Sequence, residues 1–326
     1  MRILVLAKRQ YTGKDLLTDR YGRIFELPAA LSRRGHEVRG LATSYRRRRQ
    51  EDLSWEDLPG MNWRSVNALP FGITRYASLL DDWVDDWSPD VVWAGSDMLH
   101  AVLAERWARD RGVPLVLDLY DNYESFGLSR FPGLTGAFQS ACRQARAITA
   151  VSHTLANHIR SSYALSSPIT VLQNAITQRI FRPRDRQTSR VALGLPTAAR
   201  IIGTAGAISK DRGIELMFQA FLELAEADDD LWLVHAGPID RTIERRFRHP
   251  RIVDMGVLPL EDVPQVISSL DVAIICNKDS DFGRYCFPMK LHEIIAMQVP
   301  LVAAAVGDVA SVLTGYPELL SATAMT

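Results

Sequence analysis

The stretch FPMKLHEIIAMQVPLVAA, Phe287 to Ala304, decides how the chain is read. Pro288 suits a first helical position, where its fixed φ is already helical and its missing N–H is not needed. Leu291, Ile294 and Ile295 then recur at the spacing of a core-facing helical stripe. After Pro300 the run LVAAA reads as a buried strand. A helix leading straight into a buried strand is the repeating unit of a parallel α/β sheet. Lys290 and Glu293 stand one helical turn apart, on one face, at the start of this apolar unit. Opposite charges so placed form either an ordinary ion pair or a ligand site.

Working outward, the alternation fills the chain. RILVLA is a first strand, followed by a helix over YGRIFELPAALSRRG, in which Pro28 predicts a kink, and a strand at EVRGLA. Thr43 to Ile73 is less regular and holds the basic run Arg46 to Arg49. DVVWAG, PLVLDLY, AITAV and PITVLQN are further strands. Helices lie at MLHAVLAERWARDRG, at Leu134 to Arg146, and at SHTLANHIRSSY behind a Ser152 cap. Gln178 to Arg200 is polar and Arg-rich and reads as a linker. The rhythm then restarts with strands at RIIGTAGAI, LWLVHAG, RIVDMG, DVAIIC and LVAAA. Two doubly wound, Rossmann-like domains are therefore expected, residues 1–177 and 200–326, joined by 178–199 and facing each other across a cleft.

In such sheets ligands bind beyond the carboxyl ends of the strands. Those ends are Lys8–Asp15, Ser96–Asp97 and Tyr120–Glu124 in the first half. In the second they are Ala207–Gly213, Gly237–Asp240, Asn277–Pro288 and Val306–Asp308.

Composition narrows the classes. The 326 residues suit about two domains at ~150 residues each. With 38 basic and 38 acidic residues, a nucleic-acid or other polyanion binder is not expected. No apolar run reaches a membrane span, and MRILVLAKRQ lacks the cleavage site of a signal peptide. Cys142, Cys276 and Cys286 have no metal-ligand spacing and suit a reducing cytoplasm. The only lysines are Lys8, Lys14, Lys210, Lys278 and Lys290, all in or beside loops that follow strands, where compact cations suit phosphates.

GAISKDRGIE ends a strand at Gly206, carries Lys210 and Arg212 through a short loop and opens a helix after Gly213. Helix-start amides beside cations attract a diphosphate. Neither G-x-G-x-x-G after the first strand nor a Walker sequence is present, which lowers NAD and ATP chemistry. Asp279 and Asp281 are an acidic pair of the kind that holds a divalent metal or simply faces solvent. LDLYDNYESFG places Tyr120, Asp121, Asn122 and Glu124 directly after a buried strand, where they suit sugar hydroxyls, proton transfer, or capping and packing.

These segments together resemble a retaining glycosyltransferase of family 4 with the GT-B fold. The resemblance runs through ALSRRGHEV, ITAVSHTLANHI, VLQNAITQRIF, GAISKDRGIELMFQAF and FPMKLHEIIAMQVPLVAA, the last as a P-x-K-x-x-E variant of the donor signature. It implies that Glu293 binds the ribose of a nucleotide sugar. Lys290, Arg212, Lys210 and the Gly206 turn would stand at its diphosphate, and Tyr285, Cys286 and Phe287 on the sugar side. Tyr120 falls where the family carries a His, with Asp121 after it; these two are the candidate catalytic residues. Lys14, Asp97, Asn122 and Glu124 are the acceptor candidates. No cofactor or metal is expected, because the cations and peptide dipoles do a metal's work on the leaving phosphate.

Departures from the family pattern are Ala207 in place of a second basic residue, Tyr285 in place of an acid, and Tyr120 in place of His. The family's last helices also have no counterpart before Thr326, so the C-terminal part is expected to be shortened. The expected activity is transfer of a sugar, with retention, from a nucleotide diphosphate to a hydroxyl of a glycan, a lipid-linked group or a small molecule. The setting is polysaccharide, glycolipid or other glycoconjugate assembly in the cytoplasm. Arg46 to Arg49 suit either a solvated loop or peripheral contact with the inner membrane surface. The competing reading is a non-catalytic nucleotide- or glycan-binding subunit on the same scaffold.

Overall fold

The computed structural model describes residues 1–11, 14–46 and 50–321, and the chain divides into two units, Met1–Gln173 and Asn174–Thr326. Arg47 to Arg49 of the basic run, and Thr12 and Gly13 of the first loop, lie outside the described residues.

Unit 1 is built on β1 (Arg2–Lys8), the short hairpin β2 (Gln10–Tyr11) and β3 (Lys14–Asp15), β4 (Glu37–Ser44), β5 (Glu51–Ser54), β6 (Met61–Asn67), β7 (Val91–Gly95), β8 (Leu115–Leu119), β9 (Ala147–Ala150) and β10 (Ile169–Val171). Its helices are α1 (Arg23–Arg33), α2 (Tyr76–Val84), α3 (Met98–Asp110), α4 (Leu134–Gln144) and α5 (His153–Tyr163). The main sheet has the order β10-β9-β8-β7-β1-β4-β6-β5, parallel except for β5 on β6. Leu4, Val5, Leu6 and Ala7 of β1 are fully buried, as a central parallel strand covered on both faces requires. α1 runs on past Pro28, with Ile24, Phe25 and Ala29 turned inward. Arg23 at its start is clamped to Asp118 of β8 at 2.9 and 2.7 Å, and Thr149 of β9 donates to the same carboxylate at 2.6 Å. The chain leaves β1 toward β4 and returns on the other side of β1 at β7. The topological switch point of unit 1 therefore lies between β1 and β7.

The region read as irregular contains both β5 and β6. β6 is held by seven-residue register with β4, Val38 against Met61 through Ser44 against Asn67. Its polar residues hid it from pattern reading.

Unit 2 comprises α6 (Arg186–Ala192), β11 (Arg200–Ala205), α7 (Glu215–Ala225), β12 (Leu231–Ala236), α8 (Arg241–Arg246), β13 (Ile252–Asp254), α9 (Val263–Ser269), β14 (Val272–Ile275), α10 (Asp281–Tyr285), α11 (Met289–Ala296), β15 (Leu301–Ala304), α12 (Asp308–Val312) and β16 (Leu320–Ser321). Its sheet is parallel, in the order β13-β12-β11-β14-β15-β16, with the switch point between β11 and β14. Ile214, Met217, Phe218 and Phe221 close one face over Leu231 and Leu233.

The polar stretch before β11 is not plain linker. It carries α6, whose Arg190 is 2% exposed and donates to the carbonyls of Ser269, Thr197 and Ala199 and to Asp271. An arginine so completely satisfied acts as a core residue.

Candidate functional site

The switch point of unit 2 is organised by two glycines. Gly206 and Gly237 follow β11 and β12 with φ of 119° and 127°, a region that favours glycine. A Cβ on Gly237 would lie 2.2 Å from the Gly206 carbonyl oxygen, so the two turns touch backbone to backbone. A Cβ on Gly206 would lie 3.5 Å from Lys290 Nζ. The ammonium therefore sits directly beneath the first turn, where Lys290 Nζ also donates to Thr204 Oγ1 at 3.3 Å.

Lys290 is in the first turn of α11. Pro288 is the cap of that helix, with φ −71° and ψ 115°, and Met289 its first residue, one position later than the sequence pattern suggests. Both Lys290 and Glu293 are half-buried. Burial, then the nearby charge of Arg212, lowers the Lys290 pKa to about 8. Burial raises Glu293 to about 7 against the pull of Lys290. Among the described residues no ion pair joins the two. Arg212 ends the turn Lys210–Arg212, its guanidinium 5.2 Å from the centre of the Phe282 ring.

The loop between β14 and α11 completes this edge. Tyr285 closes α10; Cys286 and Phe287 are buried, and Phe287 stacks on His292 at 4.8 Å. Asn277, missed as an individual residue in the sequence, is 1% exposed. Its Nδ2 donates to the Gly283 carbonyl at 2.9 Å, and its Oδ1 has no partner among the described residues. Asp279 of the acidic pair is taken by Arg284 at 2.5 Å, and Ser280 caps α10, whose first residue is Asp281.

At the switch point of unit 1 the candidates are more engaged. The Tyr120 hydroxyl is buried and donates to the Ser96 carbonyl at 3.0 Å. The Tyr123 hydroxyl accepts from Ser96 N at 2.9 Å, and Ser96 Oγ accepts from Lys8 N at 2.8 Å. These bonds hold Ser96 at φ 94°, outside the usual range of a side-chain-bearing residue. Asp97 follows as the cap of α3, its Oδ1 accepting from His100 N at 3.0 Å and lying 2.9 Å from His100 Nδ1. Burial by itself would raise the Asp97 pKa, but His100, and to a lesser degree Lys8, hold it at about 2. Asn122 is buried and caps the turn Tyr123–Ser125; Asp121 beside it is half-buried. Glu124 accepts from Gln139 at 3.0 Å, which ties it to α4, and it lies near Tyr163 of α5. Lys14 is exposed on the β2–β3 hairpin. Sequence reading gave no signal for Tyr45, Tyr76 or Thr204, single polar groups within apolar surroundings.

Two family models match the chain, one in each half: Glycosyltransferase Family 4 over residues 23–178 and Glycosyl transferases group 1 over residues 199–324. The chain belongs to glycosyltransferase family 4. The family 4 chain is 24% identical to the N-acetyl-α-D-glucosaminyl L-malate synthase of Bacillus anthracis over 308 residues, 89% of this chain and 78% of the relative. Among solved structures, sucrose-phosphate synthase from Thermosynechococcus elongatus superposes with a TM-score of 0.79 at 14% identity, covering 98% of this chain and 85% of that one. HepE from Anabaena, solved in complex with UDP, gives 0.67 at 15% identity, covering 95% and 82%. The fold is GT-B, and the chain is a retaining glycosyltransferase that uses a nucleotide-sugar donor. Among the described residues no helix is long and apolar enough to cross a membrane.

Proposed function

We propose that the switch point of unit 2 binds a UDP-sugar and that the sugar passes to a hydroxyl of an acceptor held by unit 1. The observation that carries this reading is the set of desolvated charges around the Gly206 turn: Lys290 beneath it, Arg212 beside it, and Glu293 one helical turn on, with no ion pair between Lys290 and Glu293. A folded chain keeps such groups half-buried at a cost in stability. A diphosphate would satisfy the cations, and two neighbouring ribose hydroxyls would satisfy the carboxylate.

In the reaction, the bond from the anomeric carbon to the diphosphate breaks and negative charge builds on the departing nucleotide. Lys290, Arg212, Lys210 and the first-turn amides of α11 meet that charge with fixed cations and dipoles. Tyr285, Cys286 and Phe287 border the sugar. Asp97, Asp121 and Asn122 are the acceptor-side groups, with Lys14 and Glu124 further candidates at the same sheet edge. The acceptor proton leaves on a released phosphate oxygen. Tyr120, whose hydroxyl donates to Ser96, supports the backbone of this edge.

UDP is favoured as the nucleotide by the likeness to a fold solved with UDP. A glycan, a lipid-linked group and a small hydroxy acid all suit the acceptor role; exposed Arg46 would add a membrane contact for the lipid-linked case. The test is release of nucleoside diphosphate from UDP-glucose, UDP-N-acetylglucosamine and GDP-mannose, with L-malate, myo-inositol or methyl glucoside as acceptor. Release that Glu293→Ala and Arg212→Ala abolish supports the reading. Equal release by both variants refutes it.

A further inference from the structure

The switch point of unit 1 carries hydrogen-bonding capacity that the described protein does not use. Tyr45, in the bend after β4, is 41% exposed, yet its hydroxyl turns inward to Asp97 Oδ2 at 3.4 Å and His100 Nδ1 at 3.5 Å. Both separations are long for a hydroxyl, whose bonds run about 2.7–2.8 Å. Asp97 Oδ1, by contrast, is fully engaged by the backbone and ring of His100. The carboxylate is thus fixed in orientation while Oδ2 has only the loose Tyr45 contact among the described residues.

The surroundings support a ligand position. His100 Nε2 is buried and has no partner among the described residues, and the buried hydroxyls of Thr43 and Tyr76 meet only each other, without a well-formed hydrogen bond. The Tyr45 and Tyr76 rings both stand edge-on to the imidazole, at 5.9 and 6.2 Å. Buried polar groups are normally satisfied, so an imidazole nitrogen left without a partner is unusual. Ser96, immediately before Asp97, is held at φ 94° by three hydrogen bonds, and backbone strain of this kind persists where the surroundings enforce it. The cluster lies at the carboxyl ends of β4 and β7, the two strands that flank β1, on the sheet edge where a doubly wound fold takes its ligand.

We infer that Tyr45 is a displaceable plug that sets acceptor affinity: its hydroxyl occupies, at long range, the place on Asp97 Oδ2 that a hydroxyl of the sugar acceptor takes when Tyr45 swings out. This rests on the reading that unit 1 takes the acceptor. Asp97 is held too acidic to remove the proton, so it orients the acceptor by accepting a hydrogen bond. His100 is a positioning residue that fixes the carboxylate. The ligand class is a polyol or hydroxy acid presenting a free hydroxyl.

The experiment compares Tyr45→Phe and Asp97→Asn with the wild-type chain, using UDP-glucose or UDP-N-acetylglucosamine as donor and L-malate, myo-inositol or methyl glucoside as acceptor. Asn caps helices as well as Asp does, so Asp97→Asn keeps α3 in place, and a thermal melt checks this. Tyr45→Phe, which removes the competing hydroxyl, should lower the acceptor KM several-fold with kcat and donor KM unchanged. Asp97→Asn should raise the acceptor KM roughly tenfold, the effect of one charge-assisted bond, with donor KM unchanged. An acceptor KM that neither variant moves overturns the inference while normal UDP binding leaves the donor reading intact. Absence of UDP binding by the wild-type chain in titration calorimetry overturns the donor reading, and the inference falls with it.

Discussion

Unit 1 and unit 2 each place charged side chains at the crevice where strand order reverses, and they treat those charges differently. In unit 1 the carboxylate of Asp97 lies against His100, and deeper in the sheet Asp118 is clamped by Arg23. Asp97 is correspondingly held at about 2. In unit 2, Lys290 and Glu293 are drawn the other way, to about 8 and about 7, because burial acts on them without an ion pair between them. Pairing fixes geometry and stabilises the ionised form. Burial without pairing leaves a group whose charge is completed only by something that binds. The comparison separates two kinds of site: the first crevice fixes a paired carboxylate in orientation, and the second, in the proposed reading, meets an anion and a pair of hydroxyls with unpaired charges.

The largest expected effect comes from removing the buried cation. Lys290→Met should weaken UDP binding about 10- to 100-fold in titration calorimetry, the range of a lost charge-assisted bond. The same variant should melt at a higher temperature than the wild type without ligand, because a desolvated charge has gone. A variant that lost affinity and stability together would place Lys290 with the scaffold instead.

Glu293→Gln should cost UDP about tenfold in affinity and likewise raise the melting temperature of the free protein. Here the sign of the pH dependence sharpens the contrast. Glu293 has a folded pKa of about 7 against an ordinary 4.5, so the folded state binds the extra proton between those values. Its contribution to stability is present below pH 4.5 and is lost as pH rises to about 7. Lys290, lowered from 10.5 to about 8, loses its proton first in the folded state. Its contribution is present above pH 10.5 and is lost as pH falls through about 8. Chemical denaturation of wild type and Glu293→Gln between pH 4 and pH 8 should therefore converge at the acid end and diverge toward neutrality.

The smallest effect tests the first crevice. Ser96→Gly relieves a positive φ and gives up the bond from Lys8 N, so stability should change by less than about 1 kcal/mol. Ser96→Val keeps the strained backbone, adds β-branching and should be destabilised by about 1–3 kcal/mol, measured by urea unfolding.

Much of this was legible in the sequence where apolar pattern and topology coincide. RILVLA, DVAIIC and LVAAA announce buried parallel strands, and the ends of those strands locate both crevices. Lys290, Glu293, Gly206 and Arg212 were visible because helix spacing and a glycine turn bring charges to a strand end. Reading failed where polar residues are satisfied by distant partners. MNWRSVN is a strand only because β4 pairs with it, and Arg190 is a core residue only because three carbonyls and Asp271 surround it. Tyr45 and Tyr76 come to His100 from separate elements, a meeting that no local spacing encodes.

The most direct measurement is calorimetric titration of the wild-type chain with UDP and with uridine from pH 6 to pH 9. UDP should bind far more tightly than uridine, with affinity rising as Glu293 ionises near pH 7 and falling as Lys290 deprotonates above about pH 8. Equal affinity for UDP and uridine, or a UDP affinity flat across that range, would contradict the assignment of the unit 2 crevice to a nucleotide's phosphates and ribose.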